Sequence, residues 1–191
     1  MTSAARRLHH TYAEYLALEQ ASPTRHEYLD GEIYAMAGGS PDHAALAGAV
    51  IRLVGNGLRA GCRVYTSDLR VKIAATGLAT YPDAAVVCGK TERAADDPLA
   101  VTNPVLLVEV TSPSTEDYDR GEKLRNYKEL PALREVLVVS HAGPMLELHR
   151  RGEGETWAVL RAGAGGSVEL ASVGVSIAVD DVYAAGLEDA T

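Results

Sequence analysis

Residues 105–127 read VLLVEVTSPSTEDYDRGEKLRNY, and their first six positions hold five aliphatic residues and one carboxylate, Glu109. A continuous apolar run of this kind predicts a strand that is buried on both faces of a sheet. An ionised carboxylate is costly in such a place unless a neighbouring group compensates its charge. The compensation could come from a salt bridge, a hydrogen-bond network or a metal ion, and these three alternatives define the functional question.

The elements around this strand predict an α/β fold with a core of one helix, a three-strand antiparallel meander, a second helix and a further strand. The core begins with a helix after Ser40-Pro41, followed by strands in CRVYTSDLRVKI, YPDAAVVC and PVLLVEV, a helix over residues 119–130 and the strand EVLVVS. Asp30-Gly31 predicts an added hairpin before the core, and GEGE predicts another after it. Ahead of the first hairpin, Thr11 and Glu14 have the spacing of a capping box and predict a short helix.

The composition predicts one domain over residues 1–191. The formal net charge is −8, and no apolar run approaches the ~18 residues of a membrane span. We therefore expect a protein without a membrane partner, and the absence of an apolar secretory signal predicts a cytoplasmic location. The negative charge opposes non-specific attraction to nucleic acid, so a DNA-binding function requires a local basic patch.

The two cysteines, Cys62 and Cys88, stand far apart, and neither belongs to a pair with ligand spacing. This pattern supports neither a zinc site nor a disulfide framework. We expect both to be small core residues.

Two carboxylates are expected to meet at one end of the sheet. Asp83 follows a proline at the start of one strand, and Glu109 lies near the end of the next. If these strands pair antiparallel, the like charges oppose each other, which destabilises a sheet unless a cation is present. Hard oxygen ligands suit Mg²⁺ or Mn²⁺. The alternative is that Asp83 caps a turn and Glu109 pairs with an arginine; Lys123, at the border of the next helix, could also reach the strand ends.

The order Pro82-Asp83, then Glu109, then a core helix resembles the PD-(D/E)xK nuclease superfamily. More narrowly, EYLDGEIYAMAGGSPDH, TYPDAAVV and PVLLVEVTSPSTEDYDRGEKLRNY resemble the Uma-type (Uma two) family of restriction endonucleases, from about Tyr12 to the C-terminal hairpin. The resemblance implies a restriction-endonuclease-like fold and a metal-dependent endonuclease that acts on DNA. It also implies that Mg²⁺ or Mn²⁺ is held by Asp83, Glu109 and the backbone carbonyl of Val110.

The superfamily motif places its lysine two residues after the second carboxylate, where this chain has Thr111. A threonine cannot supply a positive charge, and the resemblance implies that Lys123 takes that role. His43, in the first helical turn, resembles a substitute for a carboxylate that the superfamily often places there. The positive end of the helix dipole predicts a neutral His43 ring, able to accept a proton or a metal ion, and the alternative is a ring bonded to a local backbone carbonyl.

Other polar residues give weaker indications. Glu32 could be a site residue or the exposed flank of the hairpin turn, and Asp68 could line the cleft or bond to a loop. The remaining histidines have no partner at ligand spacing and receive no assignment. The basic residues that could meet a phosphate backbone are Arg70, Lys72, Arg120, Arg125 and Lys128.

The nuclease hypothesis has a rival from another functional class. This is a catalytically silent nuclease-like module that binds nucleic acid or a protein partner. The retention of Asp83, Glu109 and Lys123 argues against it.

The exposed sheet edges expected of added hairpins also predict a homodimer.

Overall fold

The computed structural model describes residues 9–36, 38–184 and 187. Its helices are α1 (Tyr12–Ala21), α2 (Pro41–Gly57), α3 (Glu116–Tyr118), α4 (Leu124–Lys128) and α5 (Val179–Val182), with a π-helical turn at Asp119–Lys123 between α3 and α4. In the part of the chain that the structure describes, no helix is long and apolar enough to cross a bilayer.

The strands form two six-stranded sheets and one separate hairpin. The strands are β1 (His26–Leu29), β2 (Glu32–Ala35), β3 (Cys62–Thr66), β4 (Arg70–Lys72), β5 (Ala79–Thr80), β6 (Ala84–Cys88), β7 (Arg93–Ala94), β8 (Asp97–Val101), β9 (Leu106–Val110), β10 (Glu135–Val139), β11 (Met145–Arg151), β12 (Trp157–Gly163), β13 (Ser167–Leu170) and β14 (Val175–Ala178). The central sheet has the order β12-β11-β10-β9-β6-β3, and the second sheet has the order β2-β1-β5-β4-β8-β7.

The predicted meander is present in the central sheet. Strands β3, β6 and β9 pair antiparallel, and β10 then lies parallel to β9. The expectation of one long strand over CRVYTSDLRVKI is wrong, because β3 and β4 belong to different sheets. A backbone hydrogen bond from the Leu69 N–H to the Thr66 carbonyl closes a turn between them. The alternating pattern continues across that turn, so periodicity alone could not reveal the break.

The expected regular helix over residues 119–130 is also wrong in part. The chain makes one turn of α3, widens into the π-helical turn and resumes as α4, which ends at Lys128. Gly121 lies within the wide turn, where its low helix propensity weakens a regular α-helix. The π turn buries both Asp119 and Lys123, four residues apart. Such turns are rare and occur frequently at functional sites.

The pleat of β9 decides which side of the central sheet carries the charge. Leu106 and Val108 pack in the same apolar cluster as α2, whereas Leu107 packs in the cluster that contains Leu124 of α4. Side chains alternate along a strand, so Glu109 lies on the α4 side with Leu107. On β6 the same alternation relates Asp83 to Ala85, which packs in the α4 cluster. Both carboxylates therefore belong to the α4 side of the sheet.

Cys62 and Cys88 form a disulfide, so the expectation of two unpaired core cysteines is wrong. They are separated by 26 positions in sequence, but they face each other directly in the antiparallel pairing of β3 with β6. Their sequence spacing gives no signal for this contact, which depends on the register of the two strands.

Reduction of this disulfide should lower the free energy of unfolding. In the chain-entropy account, closing a loop of this length stabilises the folded state by about 3 to 4 kcal/mol. Urea titration with and without a thiol reductant measures the change, with Cys62→Ser/Cys88→Ser as the control that should not respond to reductant. Thiol titration of unfolded, unreduced protein should find no free thiol, and finding two would contradict the disulfide.

Candidate active site

A cavity of about 710 Å³ opens where β6 begins and β9 ends. Its walls come from both sheets, from the start of α2 and from the π-helical turn. The polar lining includes Glu27, His43, Asp83, Glu109 and Lys123. The sequence candidates Asp83, Glu109, Lys123 and His43 therefore share one concave site. Small-molecule and catalytic centres usually have this form.

Asp83 is fixed at the junction between β6 and β9. Its Oδ2 accepts a hydrogen bond of 2.7 Å from the Val110 N–H, and its side chain is 15% exposed. The register pairs Ala84 with Val108, so the start of β6 meets the end of β9. Asp83 therefore binds the strand that carries Glu109, rather than capping a local turn.

His43 lies in the first turn of α2, where its backbone N–H donates to the capping side chain of Ser40. Its Nε2 is 3.4 Å from Oδ2 of Asp83. The hydrogen bond with Asp83 raises the pKa of His43 against the opposing effect of burial, and the Asp83 charge and the Val110 carbonyl raise it further. This direction is opposite to the one predicted from the helix end, because the full negative charge of Asp83 outweighs the partial charge of the helix terminus.

Glu109 is 4% exposed, and its charge is compensated mainly by Lys123. The Lys123 Nζ lies 3.0 Å from Oε1 of Glu109, and the Tyr127 hydroxyl donates to the same oxygen. When Glu109 is ionised, the compensation is thus a buried ion pair with a hydrogen bond, and the partner is a lysine rather than the arginine of the alternative. Buried ionised groups require such partners, because water cannot solvate them.

Two further carboxylates contact Lys123, and sequence reasoning missed both. Glu27 Oε1 lies 3.1 Å and Asp119 Oδ1 3.5 Å from the Lys123 Nζ. Asp119 could have been found, since it stands four residues before Lys123 on the same turn. Glu27 comes from β1 in the other sheet, and no local pattern relates residue 27 to residue 123.

Comparison with known proteins identifies the family. Residues 12–180 match the family model Uma2, which is described as "Putative restriction endonuclease". The chain belongs to the Uma2 family. One Uma2-like relative is the "Uncharacterized protein slr1290" of Synechocystis sp., which is 40% identical over 171 residues, 89% of each chain. Another from the same organism, "Uncharacterized protein sll1609", is 32% identical over 150 residues, 77% of this chain and 84% of the relative.

A solved structure confirms the predicted fold of this Uma2 chain. It is described as a "putative nuclease belonging to DUF820 from Anabaena variabilis" and has a TM-score of 0.70 with 15% sequence identity. The similarity covers 89% of this chain and 97% of the other. The fold is therefore α/β and restriction-endonuclease-like, with the meander, the following helix and strand β10 in the predicted order.

The cavity of this Uma2 protein offers carboxylate oxygens as possible ligands for a metal ion. Among residues 9–36, 38–184 and 187, no group of three or more His, Cys, Asp or Glu side chains is arranged to hold a metal. Mg²⁺ and Mn²⁺ bind through one or two carboxylates and retain several waters. Asp83 and Glu109 satisfy this smaller requirement, and they lie in a cavity where four carboxylates face Lys123 and His43.

Several other sequence candidates have different partners from the carboxylates around Lys123. Asp68 is exposed and pairs with Arg25, and Glu32 accepts a hydrogen bond from the Tyr34 hydroxyl. Arg70 and Lys72 are buried in ion pairs with Asp97 and Asp96, so the expectation that they contact phosphate is wrong.

The remaining basic candidates lie on or near α4. Arg120 pairs with Glu116 and Glu147, while Lys128 lies over the Trp157 ring. Arg125 is exposed. These three residues remain the candidates for contact with a phosphate backbone.

Cation binding by this site should release a proton below neutral pH. Burial and the charges of Asp83 and Asp119 raise the pKa of Glu109 to about 8 despite the Lys123 ammonium. A cation that binds ionised Glu109 must displace that proton, so the apparent Mn²⁺ affinity should increase as pH rises towards 8. Calorimetric titrations at pH 6.5 in buffers of different ionisation enthalpy measure the release, which we expect to approach one proton per ion. A binding enthalpy independent of the buffer would contradict the assignment of Glu109 as a ligand.

Proposed function

We propose that this protein is a metal-dependent endonuclease that hydrolyses phosphodiester bonds in DNA and that residues 1–191 act as one nuclease domain. The observation that carries the proposal is the convergence of Asp83, Glu109 and the buried Lys123 ammonium on one cavity. Membership of the Uma2 family supports nuclease activity, while the metal requirement and the DNA substrate are our inference from the site.

We propose that Asp83, Glu109 and the Val110 carbonyl hold Mg²⁺ or Mn²⁺. The position of Val110 supports this choice, because the residue lines the cavity. Its N–H donates a hydrogen bond to Asp83, and its carbonyl contributes to the raised pKa of His43. When bound, such a cation polarises a phosphoryl oxygen and lowers the pKa of a coordinated water.

Lys123 supplies the positive charge that Thr111 cannot. Thr111 is fully buried, and its hydroxyl bonds His141 away from the ion pair. The Lys123 amine is held in place by carboxylates. Burial alone would lower its pKa, but the negative charges of Glu109, Glu27 and Asp119 raise that pKa well above the usual value, so the amine stays charged at neutral pH. A fixed ammonium that faces the developing negative charge on phosphate stabilises the transition state without reorganisation.

His43 orients Asp83. Its Nε2 lies 3.4 Å from Oδ2 of Asp83, and the same oxygen accepts a hydrogen bond from the Val110 N–H. These two contacts limit the rotation of the Asp83 side chain. The raised pKa of His43 favours the protonated ring in the absence of a cation. That ring can therefore donate to Asp83 and carry a proton at the edge of the cavity.

A cleavage panel tests this function. Supercoiled plasmid, linear duplex, single-stranded DNA and RNA are each incubated with Mg²⁺, Mn²⁺ or a chelator. We expect metal-dependent cleavage of DNA within the chain and no cleavage with the chelator. Binding to these substrates without cleavage under every metal condition would contradict the enzyme and favour the silent module.

We also propose a homodimer, because strand β12 lies at an edge of the central sheet. Two of its side chains, Val159 and Leu160, are 47% and 41% exposed. Unprotected edges favour pairing with a second chain, and nucleases that act on duplexes often pair two active sites. Light scattering at micromolar concentrations should give twice the mass of one chain. A monomer mass across that range would contradict the dimer.

A further inference from the structure

Glu27 reaches the catalytic cluster from an element outside the nuclease core. It lies on β1, in the sheet that does not carry Asp83 or Glu109, and is 7% exposed. Its Oε1 is 3.1 Å from the Lys123 Nζ and also accepts a hydrogen bond from the Thr80 hydroxyl of β5. The N-terminal hairpin therefore contributes a buried charge to the cavity.

The Lys123 ammonium lies between Glu109 at 3.0 Å and Glu27 at 3.1 Å. A cation held by Glu109 would neutralise much of the charge that now attracts this ammonium. Asp119 is more distant, at 3.5 Å, and belongs to the same helical turn, so it moves with Lys123. Glu27 is instead anchored by Thr80 in a separate sheet, and it can hold the lysine when Glu109 is engaged.

We propose that Glu27 is a positioning residue that keeps Lys123 directed into the active site. The expected effect of Glu27 on turnover rests on the proposed function. The position of Lys123 in the metal-free protein is independent of that function. Groups that orient a catalytic residue without touching the substrate change activity by about 10 to 100-fold when they are removed.

Glu27→Gln tests the proposal, because it removes the charge and keeps the shape. In the metal-free protein, acetic anhydride labelling followed by peptide mass spectrometry should show Lys123 reacting roughly tenfold faster, as expected from losing a bond to a charged group. With Mn²⁺ and DNA, kcat should fall about 10 to 100-fold, while KM and Mn²⁺ affinity stay within about twofold. Thr80→Val removes only the anchor of Glu27. It should also speed Lys123 labelling and lower kcat, each by a smaller factor than Glu27→Gln does.

Glu19→Gln is the matched control. The Glu19 side chain is 7% exposed, bonds the Tyr81 hydroxyl at 2.8 Å and pairs with His26. Its loss should affect thermal stability and leave Lys123 labelling unchanged. Unchanged labelling of Lys123 in both Glu27→Gln and Thr80→Val would overturn the proposal, as would faster labelling with normal kcat. If the wild-type protein cleaves nothing, the proposed function fails, and the labelling rates alone decide whether Glu27 positions Lys123.

Discussion

Glu109→Gln is expected to reduce metal-dependent DNA cleavage by about three orders of magnitude or more, because the cation supplies several kcal/mol of transition-state stabilisation. The substitution keeps the shape of the side chain but removes a charge that we assign to metal binding. Lys123 keeps Glu27 and Asp119 as partners, so the cavity should retain its form. Cleavage rates and calorimetric Mn²⁺ titration measure both expected losses.

The same substitution should change how stability depends on pH. Burial raises the pKa of Glu109 from 4.5 to about 8 in the metal-free folded protein. The folded state then binds more protons than the unfolded state between these values, so the free energy of unfolding falls as pH rises through that window. The stabilisation is fully present below pH 4.5 and is lost by about pH 8. In Glu109→Gln this part of the decrease should disappear from urea titrations.

Glu135→Gln provides a matched control for Glu109→Gln. Glu135 is a glutamate on the adjacent strand β10, is 1% exposed and pairs with Arg150 at 2.7 Å. Its substitution should lower stability and preserve both Mn²⁺ affinity and cleavage by the folded fraction. Cleavage by Glu109→Gln within tenfold of the wild-type rate would contradict a catalytic Glu109.

Lys123→Met is expected to lower kcat by a factor that corresponds to about 2 to 4 kcal/mol, the cost of losing one preorganised donor. Removing the ammonium also leaves Glu27, Glu109 and Asp119 without a shared cation, which raises the pKa of Glu109 further. Complete pH profiles of kcat at saturating Mn²⁺ should therefore be compared, so that protonation of Glu109 does not mask the loss at the chemical step.

Lys128→Met controls for a general loss of positive charge near the site. Lys128 lies over the Trp157 ring and makes no contact with the carboxylate cluster among the residues described. Its loss should weaken substrate binding in a salt-dependent way and leave kcat nearly unchanged. Equal losses of kcat in the two variants at saturating DNA would show that Lys123 has no special catalytic role.

Local signals in the sequence predicted most elements that position the site. The capping box of Thr11 with Glu14 forms at the start of α1, and Asp30-Gly31 adopts the positive φ angles of the hairpin turn. The apolar runs predicted strands β6, β9 and β10, because a strand that is buried on both faces is recognisable from its own composition. The positions of Asp83 at the start of one strand and Glu109 near the end of the next also predicted that the two carboxylates lie at the same end of the sheet.

The features that sequence reasoning missed depend on contacts between distant residues. The Cys62–Cys88 disulfide follows from strand register, and the salt bridge between Glu27 and Lys123 joins β1 of the second sheet to the π-helical turn. The pKa of His43 was misjudged because the helix dipole was a local signal, whereas Asp83 is brought to 3.4 Å only by the fold. Neither spacing nor propensity contains this information.

A crystal of the protein soaked with Mn²⁺ tests the central claim most directly. Anomalous difference density at the manganese absorption edge should show one ion in contact with carboxylate oxygens of Asp83 and Glu109 and with the Val110 carbonyl. Absence of a peak at these three groups at millimolar Mn²⁺, in a crystal form that leaves the cavity open to solvent, would contradict the metal-dependent nuclease site.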